Sequence, residues 1–376
     1  MIKAGQTSFG IADLLYAGGL RNYLESLNFD EQEQLPKQPQ LYSQERLQSY
    51  GLPLCRTYEE IAWVMGISVN ELQFLAFSNQ RANKSHYIRF KIPKKMGGER
   101  LISAPKPRLE WPQRRILYNI LNKLEPHNAA HGFCRGRSIV TNAQPHVGAE
   151  VIINIDLKDF FPSISYKRVK GLFKSFGYSE KASTVFSLLC TEPEVKEIEQ
   201  QEHKIYAERY LPQGAPTSPA ISNLLCRRLD QRLSQMAEKF CFRYTRYADD
   251  ITFSASCDNK RHVGNVLRCT KSVVVSEGFA IHEQKTRILW KSRQQEVTGV
   301  IVNSKPNISR KTLKRLRATL YQIEKDGMAG KRWGESQANL LHSLQGFVNF
   351  VSMINPEKGA EFHEQIRRIR HKWCDF

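Results

Sequence analysis

Acidic residues are scarce in this chain of 376 residues: 37 Asp+Glu stand against 56 Lys+Arg, giving +19 and a pI near 9.6. So basic a surface attracts polyanions, and nucleic acid is the commonest of them. No run reaches the roughly 18 apolar residues that a membrane-spanning helix needs, so no membrane span is expected. The basic-then-apolar order of a signal peptide is also missing, because charge interrupts Ile11-Ala12-Asp13-Leu14-Leu15, and a cytoplasmic protein is expected. The eight cysteines include no C-x-x-C pair, which leaves zinc without its usual spacing. They read as reduced, mostly buried thiols rather than a disulfide framework. No internal repeat is visible. Hydrophobic content of 41% and charged content of 25% exclude wholesale disorder. The length implies two or three lobes rather than one ordinary core.

What the chain does contain is a pair of adjacent carboxylates, Tyr247-Ala248-Asp249-Asp250, at the tip of a predicted hairpin between Phe242-Arg243-Tyr244 and Ile251-Thr252-Phe253-Ser254. Neighbouring carboxylates repel, and a hard divalent cation such as Mg²⁺ relieves that repulsion. A second acidic position ends the apolar run Val151-Ile152-Ile153-Asn154-Ile155-Asp156, and Pro162 soon after it forbids a longer strand. Three carboxylates on neighbouring strand ends suit two metals roughly 4 Å apart, the arrangement for in-line displacement at phosphorus.

The remaining segments read as follows. A helical pattern near Ile11–Leu27 precedes a polar, Gln-rich connection at Gln32–Gln48. Thr57 with Glu60 resembles a capping box, and Gly66 separates two short helices. That outline fits a helix-turn-helix, but the second helix offers no basic residue for phosphate, so a packed helical pair is favoured. Arg89–Pro93 and Arg100–Ala104 flank Gly97-Gly98 as a hairpin, with Lys94, Lys95 and Arg100 crowding its turn. Residues 108–125 read as a helix, and helices are expected at Tyr166–Phe176, Glu180–Cys190 and Asn265–Glu277, with Glu192–Glu202 a solvated insertion. In Leu211-Pro212-Gln213-Gly214-Ala215-Pro216-Thr217-Ser218-Pro219, Gly214 allows close backbone approach and Ser218 is the expected N-cap of a long helix buried through Ile221, Leu224, Leu225, Leu229 and Leu233. Residues 304–376 hold 14 Lys+Arg and 7 Asp+Glu, and a Leu313/Leu316/Leu320/Ile323 stripe is surrounded by Arg310, Lys311, Lys314, Arg315 and Arg317. That surplus fits a grip on the phosphates of a duplex.

Taken in order, Ile155-Asp156…Phe160-Phe161, the Leu211–Pro219 segment, Tyr247–Asp250 and Lys285 resemble the successive palm motifs of a reverse transcriptase. Asn142-Ala143-Gln144-Pro145-His146 and Val297-Thr298-Gly299 are similar to the Asn-Ala-x-x-His and Val-Thr-Gly elements of bacterial retron reverse transcriptases. The resemblance implies an α+β, right-hand polymerase fold: fingers at 56–150, an antiparallel-sheet palm at 151–302 with an insertion near 179–212, and a helical thumb at 303–376. Residues 1–55 form an extension outside the common core.

The resemblance further implies a role for each matched position. Asp156, Asp249 and Asp250, with the backbone carbonyl of Leu157, would hold two Mg²⁺ ions. Phe161 would bar a ribose 2′-hydroxyl, and Gln213, Arg100, Lys94, Lys95 and Asp159 would face the incoming dNTP. Lys285 is the expected proton donor to pyrophosphate. Asn142, His146 and the basic residues of 304–376 would grip a cognate structured non-coding RNA, copied from an internal guanosine 2′-hydroxyl into a branched RNA–DNA molecule. A separate effector protein and a part in anti-phage defence are implied with it. The rival readings are another bacterial reverse transcriptase, of intron-like or abortive-infection type, and a nucleic-acid scaffold restraining a toxin.

Overall fold

A computed structural model describes residues 42–77, 85–94, 97–195, 206–334 and 340–373. The helix expected at Ile11–Leu27 and the cation Lys95 lie outside the described residues.

The polar stretch expected as a loop through Gln48 turns helical at α1 (Gln44–Ser49). Ser43 accepts from the amide of Arg46, Leu47 is buried, and Ser43 N donates to the carbonyl of Gly177 at 2.9 Å. Gly177 adopts φ 107°, and a Cβ there would stand 2.7 Å from the Ser43 carbonyl oxygen, so only glycine lets the two segments meet.

In α2 (Tyr58–Met65), Thr57 and Glu60 form the predicted capping box, and Gly66 ends the helix at φ 67°. Next come α3 (Val69–Phe77), the antiparallel hairpin of β1 (Tyr87–Pro93) and β2 (Glu99–Pro105), and α4 (Pro107–Asn119). The helix expected through residue 125 gives way after Asn119 to a single 3-10 turn at Leu121–Lys123. Glu71 of α3 is paired with Arg108 of α4 at 3.1 Å, so this helical pair is packed against its neighbour.

The short α5 (Ile139–Ala143) precedes β3 (Val151–Asp156), whose residues Val151, Ile152, Ile153 and Ile155 are all buried. After α6 (Tyr166–Ser175) and α7 (Glu180–Cys190), β4 (Glu192–Val195) pairs with β5 (Tyr206–Tyr210). The expectation of a solvated insertion fails at its first residue: Glu192 is buried and accepts from Arg89 Nε at 2.7 Å. A buried carboxylate needs such a partner.

The long helix expected after Pro219 is two, α8 (Ser218–Leu225) and α9 (Arg227–Lys239), broken at Cys226. They lead to β6 (Arg243–Tyr247), β7 (Asp250–Ala255), α10 (Val263–Ser276) and β8 (Arg287–Trp290). The central sheet is antiparallel throughout, in the order β6-β7-β3-β8, with α9 against β6 and α10 against α9.

A two-residue turn joins β9 (Glu296–Val297) to β10 (Val300–Ile301), and the helices α11 (Arg310–Asp326), α12 (Leu340–Ile354) and α13 (Pro356–Trp373) follow. Their core runs from Leu313, Leu316, Leu320 and Ile323 through Leu344, Val348 and Phe362, and is continuous with Val297, Val300 and Ala143. The apolar stripe read from the sequence is therefore the buried face of α11. Among the described residues no helix is long and apolar enough to cross a membrane.

Candidate active site

The antiparallel register sets Asp156, the last residue of β3, directly opposite Asp250, the first residue of β7. Opposed residues of an antiparallel pair point to the same face of the sheet. Asp249 joins them from the β6–β7 turn, where its carbonyl accepts from the amide of Leu157 at 3.0 Å. Two further bonds, His282 N to the carbonyl of Asp156 and Lys158 N to that of Ala280, both 2.8 Å, fix the strand end beyond β3.

The turn is held by a buried network. Ala248 adopts φ 57°, a conformation that costs a non-glycine residue about 1 kcal/mol or more. Arg246 Nη1 donates to the Ala248 carbonyl at 3.0 Å and to Asn223 Oδ1 at 3.1 Å. Its Nε and Nη2 donate to the two oxygens of Asp230 at 2.7 and 2.6 Å, and Tyr244 Oη donates to Asp230 Oδ1 at 2.7 Å. Both members of the Arg246–Asp230 pair are fully buried. Behind the turn lies Gly132, where a Cβ would come within 2.6 Å of Ala248 N.

The negative charge of Asp156 opposes the ionisation of both Asp249 and Asp250. Burial raises the Asp249 carboxyl above the ordinary range and the charge of Asp156 adds to this, while its own backbone amide, Arg100 and Lys285 act the other way. Asp250 is open to water on one side, yet crowding by protein, then the charges of Asp249 and Asp156, push it up to about 7. Lys285 Nζ answers part of this charge, donating to Asp156 Oδ1 at 3.0 Å and Oδ2 at 3.3 Å. Among the described residues no three His, Cys, Asp or Glu side chains are drawn together into a ready-made metal site. The donor set nevertheless fits hard divalent cations, being all oxygen and short of positive charge.

Around this centre, Phe161 is half-buried, its ring 5.3 Å from that of Phe160, which lies 5.5 Å from Phe279. Asp159 is exposed at φ 45°, while Lys94 and Arg100 are exposed on the β1–β2 hairpin. The carbonyl of Gln213 accepts from Ser103 N at 2.7 Å, so the Leu211–Gly214 turn is bonded to β2. Gly214 has φ 121°, and a Cβ there would stand 2.9 Å from the Ser103 oxygen. Ser218, expected as an N-cap, is instead the first helical residue, and its hydroxyl donates to the carbonyl of Pro212 at 2.7 Å.

Residues 92–302 match the family described as reverse transcriptase (RNA-dependent DNA polymerase). The chain is 41% identical to the Retron Mx162 reverse transcriptase of Myxococcus xanthus, over 87% of this chain and 70% of that protein. It is 41% identical to the Retron Mx65 reverse transcriptase of Myxococcus xanthus, over 83% and 72% respectively. With the Retron Ec86 reverse transcriptase of Escherichia coli it shares 32% identity over 87% of this chain and 94% of that one. The chain belongs to the retron reverse transcriptases. It is an RNA-directed DNA polymerase with the right-hand fold of that superfamily, whose members use divalent metal ions.

In this retron reverse transcriptase the two small sequence elements meet inside the protein. Asn142 and His146 are fully buried, so a direct grip on RNA by these side chains is replaced by a structural contact. Asn142 Nδ2 donates to Thr298 Oγ1 at 3.3 Å, at a turn where Thr298 and Gly299 both take positive φ, 46° and 85°. His146 bridges β6 and β7 through Thr245 Oγ1 at 2.8 Å and Ser254 Oγ at 2.7 Å. Burial, then the charges of Arg243 and His131, push its pKa down to about 3. The unfolded chain takes up a proton near pH 6.5 that the folded chain refuses, so this site stabilises the fold above pH 6.5 and loses that contribution as the pH falls. The expected dependence is up to about 1.4 kcal/mol per pH unit below 6.5. Urea unfolding at stepped pH should show His146→Gln with a shallower acid loss than wild type; equal slopes would show that His146 is charged in the folded state.

Arg310, Lys311, Lys314, Arg315 and Arg317 are all exposed on α11, with Arg315 stacked over Trp333 at 4.8 Å. Sequence reading missed Arg246, Asp230, Asn223 and Gly132. One signal was present: Asp230 falls on the stripe of Leu229, Leu233, Met236 and Ala237 that α9 buries, and a charge there demands a buried partner.

Proposed function

We propose that the chain copies a cognate structured non-coding RNA into DNA at the Asp156/Asp249/Asp250 centre, starting from the 2′-hydroxyl of an internal guanosine and leaving a branched RNA–DNA product. The observation that supports the carboxylate centre is the register of β3 against β7, which sets Asp156 across from Asp250 with Asp249 in the adjoining turn.

In this reading Asp156, Asp249 and Asp250, with the Leu157 carbonyl, hold two Mg²⁺ ions. When bound, the ion pair makes the attacking hydroxyl a stronger nucleophile and offsets the charge of the triphosphate and the leaving pyrophosphate. Lys94 and Arg100, flanking the β1–β2 turn, close on the phosphates. Gln213 positions the base pair from its turn on β2, and Asp159 borders the triphosphate. Lys285, tied to Asp156 in the chain alone, turns to the pyrophosphate and donates its proton. Phe161, braced by Phe160, occupies the space a 2′-hydroxyl would need. Residues 56–150 act as fingers, 151–302 as palm and 303–376 as thumb, where Arg310, Lys311, Lys314, Arg315 and Arg317 meet RNA phosphates. A separate effector protein completes the system, which serves in anti-phage defence.

Isolation of nucleic acid from the purified protein tests the product. A DNA whose 5′ end is linked to an RNA 2′-hydroxyl supports the reading, and unlinked cDNA overturns the priming step. The gate has its own test: Phe161→Ala should raise ribonucleotide incorporation on the order of 10- to 100-fold relative to deoxynucleotides. Unchanged discrimination in primer extension would remove Phe161 from that role.

A further inference from the structure

Trp63 is 81% exposed, an unusual state for the residue type that buries most area. It lies on α2 at the edge of an open groove of about 340 Å³, between residues 51–53 and α4. Val64, Arg115, Asn119 and Lys123 line the groove with it. Trp111, 54% exposed on α4, lies near the end of α2: its indole nitrogen and Arg115 Nε lie 3.4 and 4.0 Å from the point where Gly66 would carry a Cβ. The groove uses none of the residues of the carboxylate centre.

Its charge is one-sided. Arg115 Nε donates to the carbonyl of Val64 at 3.3 Å, and Lys123 Nζ donates to that of Gly51 at 2.5 Å. These acceptors are main-chain carbonyls, so neither charge is neutralised by them, and no carboxylate is among the residues lining the groove. An exposed tryptophan also suits a protein partner, but two cations without an acid favour a polyanion. A flat indole face beside fixed cations is the combination that binds unpaired nucleotides, the base stacking and the phosphate pairing.

We propose that this groove binds an unpaired stretch of RNA, with one base stacked on Trp63 and the flanking phosphates held by Arg115 and Lys123. The site would anchor a single-stranded part of an RNA while the catalytic cleft is occupied elsewhere. It requires neither branched priming nor the metal centre.

The test uses the full chain with its cleft filled by a preformed RNA-template/DNA-primer duplex. A fluorescein-labelled oligoadenylate RNA is then titrated and read by anisotropy. Trp63→Ala should weaken binding by about 5- to 100-fold, the value of one stacked base, and Trp63→Phe should restore most of it. Lys123→Gln should lower the salt dependence by about 0.7 in the log–log slope. Trp63→Ala and Lys123→Gln should each extend the annealed primer at the wild-type rate, which separates this site from the polymerase reading. A 4-thiouridine oligonucleotide should crosslink to the peptides carrying Trp63 or Lys123. Unchanged affinity in Trp63→Ala and in Lys123→Gln overturns the proposal. So does a self-association seen by sedimentation that Trp63→Ala abolishes while RNA binding persists, which would assign the groove to a second copy of the chain.

Discussion

Replacing Asp249 by asparagine is expected to lower DNA synthesis by at least about a thousand-fold while leaving the metal-free protein as stable as before or more so. The two effects have one cause. Asp249 sits in a turn where burial and the Asp156 charge disfavour its ionised form, so the carboxylate costs stability unless a cation is beside it. Asparagine keeps the shape and removes the charge, relieving the repulsion and the ability to bind a cation together. Wild-type protein should therefore melt at higher temperature when Mg²⁺ is added, because a ligand of the folded state stabilises it, and Asp249→Asn should show a smaller rise. Primer extension on an RNA template and paired thermal melts decide the matter. Substantial synthesis by the variant would remove the carboxylate centre from the chemistry.

Much of the scaffold was legible because its signals are local. The capping box at Thr57, the Gly97-Gly98 hairpin, the apolar run ending at Asp156 and the leucine stripe of α11 each follow from a short pattern whose physics stays within one element. The paired carboxylates at the β6–β7 turn stood out for another reason: adjacent acids at a turn repel each other and are costly to place there. Three things were not legible. That Asn142 and His146 face inward depends on β6, β7 and the Thr298 turn, all far away in the sequence. Glu192 reads as one more acid in an acidic stretch, and only the pairing of β4 with β5 beside Arg89 shows it to be buried. The break at Cys226 leaves no mark in the apolar spacing, since Leu224, Leu225 and Leu229 would suit one continuous helix equally well.

The network beneath the turn gives the largest expected effect on stability. Arg246→Met leaves Asp230 buried without its countercharge, and such a loss costs about 3–5 kcal/mol. That alone cannot separate folding from catalysis. The double variant Arg246→Met/Asp230→Leu does, because replacing both partners of a buried pair by apolar groups is often neutral. Its stability should return close to wild type, although Tyr244 loses its acceptor and Asn223 a donor. Its activity should not return. The Ala248 carbonyl has lost the guanidinium that holds the turn at φ 57°, so Asp249 and Asp250 are free to drift from Asp156. A displacement of about 1 Å costs roughly a hundred-fold in rate. Denaturant unfolding together with single-turnover nucleotide incorporation reads both quantities on the same protein. Recovery of stability without rate shows that Arg246 aims the carboxylates through the turn backbone; recovery of both shows that the pair serves only the fold.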